Sequence, residues 1–399
     1  FNEIKIRNIF SFGCLIIINH SYISYHGNIM KRFYLYLFAI SLLGICFAVA
    51  VHSKPKKANN KVDYFELGEA AWDNFQFELA LEYYNKAIEV NPADIRPYEK
   101  LISFYITIDN YSEAIDYCTK AIKYHPENDM LYLQRDESYK MLEDFKNALN
   151  DYRQIIKLKP DYYLGYSTAA VVSYFLDEGD VAINYADKAI ELNPDDEQSN
   201  YVKACVYFDR FDFELALGNA NLTINTINKR VFEATDENDI KLPSFLYDVY
   251  ELRGVTYRYL GQFENAIKDF TFLAELQSHE PNYFILLANT KFMYATVLLN
   301  DSSIDQQEYE EMLLSAINDV SAAIELDEEN PSFFFSRALM KHSLNDNVGA
   351  LVDINTAIRM NADDPLYYSL RSEIYEALGN NEASEKDFEY YQSLIDEDE

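Results

Sequence analysis

The sequence predicts an all-α protein, an α-solenoid of about nine helix–turn–helix units, and three columns of residues predict it. Between Lys61 and Asp196, four prolines (Pro92, Pro126, Pro160, Pro194) recur every 34 residues. Ala80, Ala114, Ala148 and Ala182 keep that spacing, as do Tyr64, Tyr98, Tyr132 and Tyr166. Three independent columns in one register define a repeat array. No alternating strand pattern or hairpin signal competes with it.

Each unit reads as two helices and a breaker. Counting Lys61 as position 1, Tyr64, Leu67, Gly68 and Ala71 form one face of a first helix. Ala80, Tyr84 and Ala87 form the matching stripe of a second helix, Phe77 to Val90. Pro92 cannot continue that helix, because it has no N–H and its ring clashes with the preceding turn. Asp94, Asn128, Asp196, Asn330 and Asp364 stand where a short side-chain oxygen caps the next first helix. Pro331 and Pro365 follow two of them at a position where a missing N–H costs nothing. Small residues Gly68, Ala170, Ala204, Gly254 and Ala338 mark where the helices must cross closely.

The pattern Tyr64, Leu67, Gly68, Ala80, Tyr84, Ala87, Pro92, met again as Tyr250, Arg253, Gly254, Tyr257, Ala266 and Phe270, resembles the tetratricopeptide repeat. The resemblance covers the chain from Lys61 onward. It implies a right-handed superhelix whose concave groove is lined by first helices, in a family that works as a protein- or peptide-binding scaffold. The units expected are 61–94, 95–128, 129–162, 163–196 and a degenerate 197–230, the array 61–230. An insertion at 231–246 follows, read as an extension of the second helix plus a loop. Further units are expected at 247–280, about 285–330 with extra length near 299–310 between its helices, 331–364 and 365–398. An acidic tail, Ile395 to Glu399, closes the range 247–399.

A solenoid grows by addition, so 399 residues need no second core type. The net charge is −32; residues 1–50 hold four cations against Glu3, so the remainder has 30 cations against 65 anions. That balance excludes nucleic acid as a ligand class and disfavours anionic membrane surfaces for the array. It fits either a solvated outer face or a groove that selects basic partners. Cys118 and Cys205 read as small buried hydrophobes, with Cys14 and Cys46 upstream of the array.

Ahead of the repeats, residues 1–29 lack the register and read as a non-native or disordered upstream segment. Met30 opens a better start, with Lys31 and Arg32, an apolar run Phe33 to Phe47, then Ala48-Val49-Ala50. Residues 30–50 thus carry a signal-peptide layout, with an uncleaved anchor over residues 33–51 as the alternative. Lipidation at Cys46 is disfavoured by Ile45, since a lipobox wants a small residue there. Residues 51–60 form a linker. The expected location is exported, periplasmic or secreted, or membrane-anchored, with a cytosolic scaffold as the rival.

One charge pattern is not required by the fold. Arg135, Arg253, Arg337 and Arg371 occupy position 7 of their units, and Asp151, Asp269, Asp353 and Asp387 occupy position 23 of the same ones. Four other units lack both, and Lys291 with Asp319 is the variant in the seventh. Co-occurrence predicts a structural ion pair between the two helices of a unit, for which an Arg–carboxylate fork is well shaped.

Chemistry is sparse. His20, His26, His52, His125, His279 and His342 have no metal spacing, and no phosphate loop, nucleophile elbow or zinc-protease motif occurs. No cofactor is expected, and no catalysis. The expected groove residues are Phe65, Glu66, Glu69, Arg96, Glu99, Lys100, Ser103, Leu133, Glu137, Lys140, Leu164, Ser167, Thr168, Val171, Tyr174 and Phe175. Position 5 (Phe65, Glu99, Leu133, Ser167) and position 9 (Glu69, Ser103, Glu137, Val171) do not carry the Lys/Asn/Arg clamp by which some family members grip a C-terminal carboxylate. A mixed acidic and aromatic groove suits a basic or amphipathic peptide or helix of a partner protein. The competing reading is a ligand- or glycan-binding accessory module of an enzyme complex.

Overall fold

The computed structural model describes residues 62–233 and 242–396. Residues 1–29, the leader at 30–50, the linker at 51–60 and residues 234–241 of the insertion lie outside the described residues. The described residues contain eighteen helices and no strand. They fall into two compact units, one ending at Pro243 and one beginning at Ser244.

In the first unit the helices pair as α1 (Tyr64–Asp73) with α2 (Phe77–Val90), α3 (Arg96–Thr107) with α4 (Tyr111–Ile122), and α5 (Asp129–Met141) with α6 (Phe145–Leu158). Next come α7 (Tyr163–Phe175) with α8 (Gly179–Leu192), and α9 (Glu197–Asp209) with α10 (Phe213–Glu233). The second unit pairs α11 (Leu246–Tyr259) with α12 (Phe263–Leu276), α13 (Pro281–Asn300) with α14 (Gln306–Leu326), α15 (Pro331–Ser343) with α16 (Asn347–Met360), and α17 (Pro365–Ala377) with α18 (Asn381–Asp396).

Local chemistry places the boundaries. Asn128, Asp196, Asn330 and Asp364 cap α5, α9, α15 and α17 through their side-chain oxygens. Asp94 accepts from the Arg96 N–H at 3.1 Å, while Ile95 holds the cap position itself. The turn inside each repeat follows a rule that the columns do not show. Phe75, Asp109, Glu143, Asp177, Phe211, Gly261, Ser302, Asn345 and Gly379 all take positive φ. After each comes a backbone bond that closes the helix end, such as Gln76 N–H to Ala71 C=O at 2.9 Å and Asn380 N–H to Tyr375 C=O at 2.8 Å.

The seventh repeat takes up its extra length as helix, and α10 carries the first three residues of the 231–246 insertion. The fifth repeat's second helix runs 21 residues to Glu233. In the seventh, α13 starts at Pro281 and spans 20 residues and α14 spans 21, so that only Asp301–Asp305 is left as connection. Helical extension satisfies every added backbone group, whereas a loop would not.

The core is a ladder of small-against-large crossings. Ala80, Ala114, Ala148, Ala182, Ala216, Ala266, Ala316 and Ala350, one in each of the first eight repeats, are all completely buried, and the ninth repeat has the partly buried Ser384 there. Opposite each second helix's position 24 stands position 8 of the first helix. A methyl group added to Gly68 would lie 2.5 Å from the Tyr84 ring, and one added to Gly254 would lie 2.7 Å from the Phe270 ring. Where the second-helix partner is small, the order reverses: Ile102 with Cys118, Phe292 with Val320. Cys118 and Cys205 are both buried free thiols. Burial of rings such as Tyr84 and Phe270 contributes about 1.5–3 kcal/mol each. Overfilling one crossing costs about 1–3 kcal/mol. Gly254→Ile should therefore lower the urea midpoint, and Phe270→Cys added to it, which copies the Ile102–Cys118 solution, should recover part of the loss.

Candidate functional site

Within the first unit, the first helices α7 and α9 pack on one another. In the second unit α13 touches α15 and α15 touches α17. Among the described residues no pair of second helices packs as closely as α7 and α9. The first-helix side is therefore the tighter, inner side of each unit, and the sixteen groove residues sort there into three groups.

Some belong to the repeat itself. Phe65 is buried, with its ring 5.9 Å from that of Tyr84 and the Arg96 guanidinium 4.4 Å above it. Ser167 and Val171 are buried, and Leu133 packs partly buried against the core. Phe175 stacks on Phe145 at 5.3 Å, with Tyr174 beside it at 5.9 Å. Others are tied to each other on the surface. Lys100 donates to Glu69 at 2.7 Å, and the Tyr84 hydroxyl also donates to Glu69, which together with burial pushes the Tyr84 phenol up. Arg96 forks onto Asp94 at 2.6 and 3.0 Å. Thr168 bonds back to the Leu164 carbonyl at 2.9 Å. Glu66, Glu99, Ser103 and Leu164 are exposed, and Glu137 is half-buried.

Lys140 departs from the expectation of a groove cation, because it is buried. Its ammonium lies 3.0 Å from Asp136, 3.2 Å from the Tyr152 hydroxyl and 4.0 Å from Glu137. Asp136 occupies position 8, the column that holds glycine or alanine in five other repeats, and a buried carboxylate there demands a counter-charge. The sequence signal was available: an aspartate in a small-residue column with a lysine four residues later. Burial pushes the Asp136 carboxyl up to about 6 against the pull of Lys140 and Tyr152, and its Oδ1 has no hydrogen-bond partner. The surrounding carboxylates keep Lys140 protonated against its own burial.

The arginine column forms clamps. Arg135 donates to Asp151 at 2.6 and 2.8 Å, and Arg253 to Asp269 at the same two distances. Arg337 reaches Asp353 at 2.8 and 2.9 Å, and Arg371 reaches Asp387 at 2.8 and 2.6 Å. A third arm reaches back to the preceding repeat: Arg135 to Thr119 at 2.9 Å, Arg337 to Ser321 at 3.2 Å, Arg371 to Asn355 at 2.8 Å. Arg135 also lies between Tyr132 and Tyr139, and Arg371 between Tyr368 and Tyr375. In the fifth repeat, where position 23 is Asn219, Lys203 reaches back to Asp187 at 2.6 Å instead. These cations are spent inside the array. Among the described residues no group of three or more His, Cys, Asp or Glu side chains could hold a metal ion.

A sequence profile of the tetratricopeptide repeat family matches residues 64–94 and 247–278. No curated protein matches the chain in sequence. Among solved structures, the C-terminal part of a TPR repeat-containing protein from Cytophaga hutchinsonii is similar, with 14% identity over 68% of this chain and 98% of that one and a TM-score of 0.51. A tetratricopeptide repeat protein from Parabacteroides merdae is 13% identical over 69% of this chain and 98% of its own, TM-score 0.44. YrrB, described as a TPR protein with an unusual peptide-binding site, is 17% identical over 54% and 95%, TM-score 0.41. Such low identities bear on fold alone.

Two outcomes follow from the buried charges. Arg135→Met leaves the buried Asp151 uncompensated and should cost about 3–5 kcal/mol in chemical denaturation, whereas Arg135→Met with Asp151→Leu should cost far less. The folded-state pKa of Asp136 is raised, so its contribution favours folding at low pH and is lost as pH climbs from the ordinary carboxylate range through about 6. In Asp136→Asn the denaturation midpoint should fall less steeply across that window than in the parent.

Proposed function

Because the chain is built of tetratricopeptide repeats, we propose that it is a non-catalytic protein-interaction scaffold that holds a peptide or helix of a partner protein along its first-helix side. The observation that carries this reading is the exposure of Glu66 and Glu99 on that side, where Ser103 and the apolar Met130 and Leu164 are exposed as well. Acids beside exposed methylenes and thioethers favour a basic or amphipathic segment, with charge setting orientation and apolar contact supplying affinity. Glu69 adds little to such an attraction, since Lys100 already neutralises it.

The scaffold is proposed to act outside the cytosol, exported or membrane-tethered through residues 30–51. What supports this is the sequence of that leader: two cations, an apolar run and Ala48-Val49-Ala50. No described helix is long and apolar enough to cross a membrane.

Affinity capture from the native membrane fraction tests the binding reading. Glu66→Lys with Glu99→Lys should weaken capture of a basic partner by about tenfold at low salt; undiminished capture would sink the acidic-face idea. Mass spectrometry of the native N-terminus tests location. A start at Val51 marks cleavage and a Met30 start in the membrane pellet marks tethering, while a Met30 start in the cytosolic fraction defeats export.

A further inference from the structure

An apolar face separate from the first-helix side lies on α18. In the second unit each second helix offers an apolar face that the next first helix fills. On α14 that face is Val320, Ala323 and Ile324, covered by Phe333 and Met340 of α15. On α16 it is Ile354 and Ala357, covered by Tyr367, Leu370 and Ile374 of α17. On α17 the filling side chains are an aromatic, a leucine three residues on and an isoleucine four beyond that. The equivalent face of α18 carries Phe388, Tyr391 and Ile395, and no described helix covers it. Phe388 is 46% exposed and Ile395 38%, although Phe388 stands where Phe270 is wholly buried. Its rim is acidic, with exposed Glu385 and Glu389, while Glu382 pairs with Lys386 at 2.7 Å.

The chain's own first-repeat edge does not suit this face. The positions that insert in α17 are Asp63, Glu66 and Ala70 in the first repeat, all exposed. Stacking one copy head to tail would set acid against acid, and pairing two α18 faces would do the same with Glu385 and Glu389. We propose that this face receives a basic amphipathic helix of another protein, with apolar residues at i, i+3 and i+7 and lysine or arginine flanking them.

The probe is a labelled peptide of residues 363–379 carrying Glu373→Lys and Glu376→Lys, which pairs the inserting triplet with basic flanks. Titrated against the full chain, it should bind saturably at one per chain. Phe388→Glu with Ile395→Glu should weaken binding at least tenfold with an unchanged thermal transition, since both side chains are already exposed. Glu66→Lys with Glu99→Lys should leave this binding intact, which separates it from the first-helix reading. Equal binding by the Phe388→Glu/Ile395→Glu protein overturns the proposal. So does a wild-type dimer in light scattering that this variant converts to monomer, because the face would then belong to a second copy.

Discussion

Each repeat stands on one close crossing, where position 8 of the first helix meets position 24 of the second. The volume available there is shared, and the nine repeats divide it differently: Gly68 leaves it to Tyr84, Ile102 takes it from Cys118, and Ala170 and Ala186 halve it. Close-packed interiors tolerate redistribution of volume far better than its excess or loss. The fully buried alanine of the first eight second helices then lets the helices approach, and the rest of the packing follows from that distance.

Charge is used on the same frame in two ways. Arginine clamps tie the two helices of a repeat together and, through a third arm, tie that repeat to the preceding second helix, as Arg135 does with Asp151 and Thr119. A guanidinium suits the task because its planar fork meets a carboxylate in two bonds and can stack on flanking rings. The third repeat instead buries an aspartate at the crossing and answers it with Lys140 and Tyr152. While these charges are consumed within the array, surface acids such as Glu66 and Glu99 stay exposed.

The geometry separates what looks alike along the chain. Position 5 yields the buried Phe65 and the exposed Glu99; position 9 yields Glu69, held by Lys100 and Tyr84, and the exposed Ser103. A periodic sequence therefore does not make a periodic surface. The face offered to a ligand depends on which polar groups have already found partners in the next repeat.

The sequence alone determined the number of helices per unit, the 34-residue pitch, the proline stops, the Asn and Asp caps and the columns that carry the arginine clamps. All of these are local or in-register features, and chain spacing reports them directly. Only the tertiary structure decided that the seventh repeat would lengthen its helices rather than loop, that Glu69 would be neutralised from 31 residues away, and that α18 would leave Phe388 open. Those outcomes depend on what the neighbouring helix brings to the contact. A side chain's partner across a repeat boundary is chosen by three-dimensional proximity, and pitch by itself does not encode it.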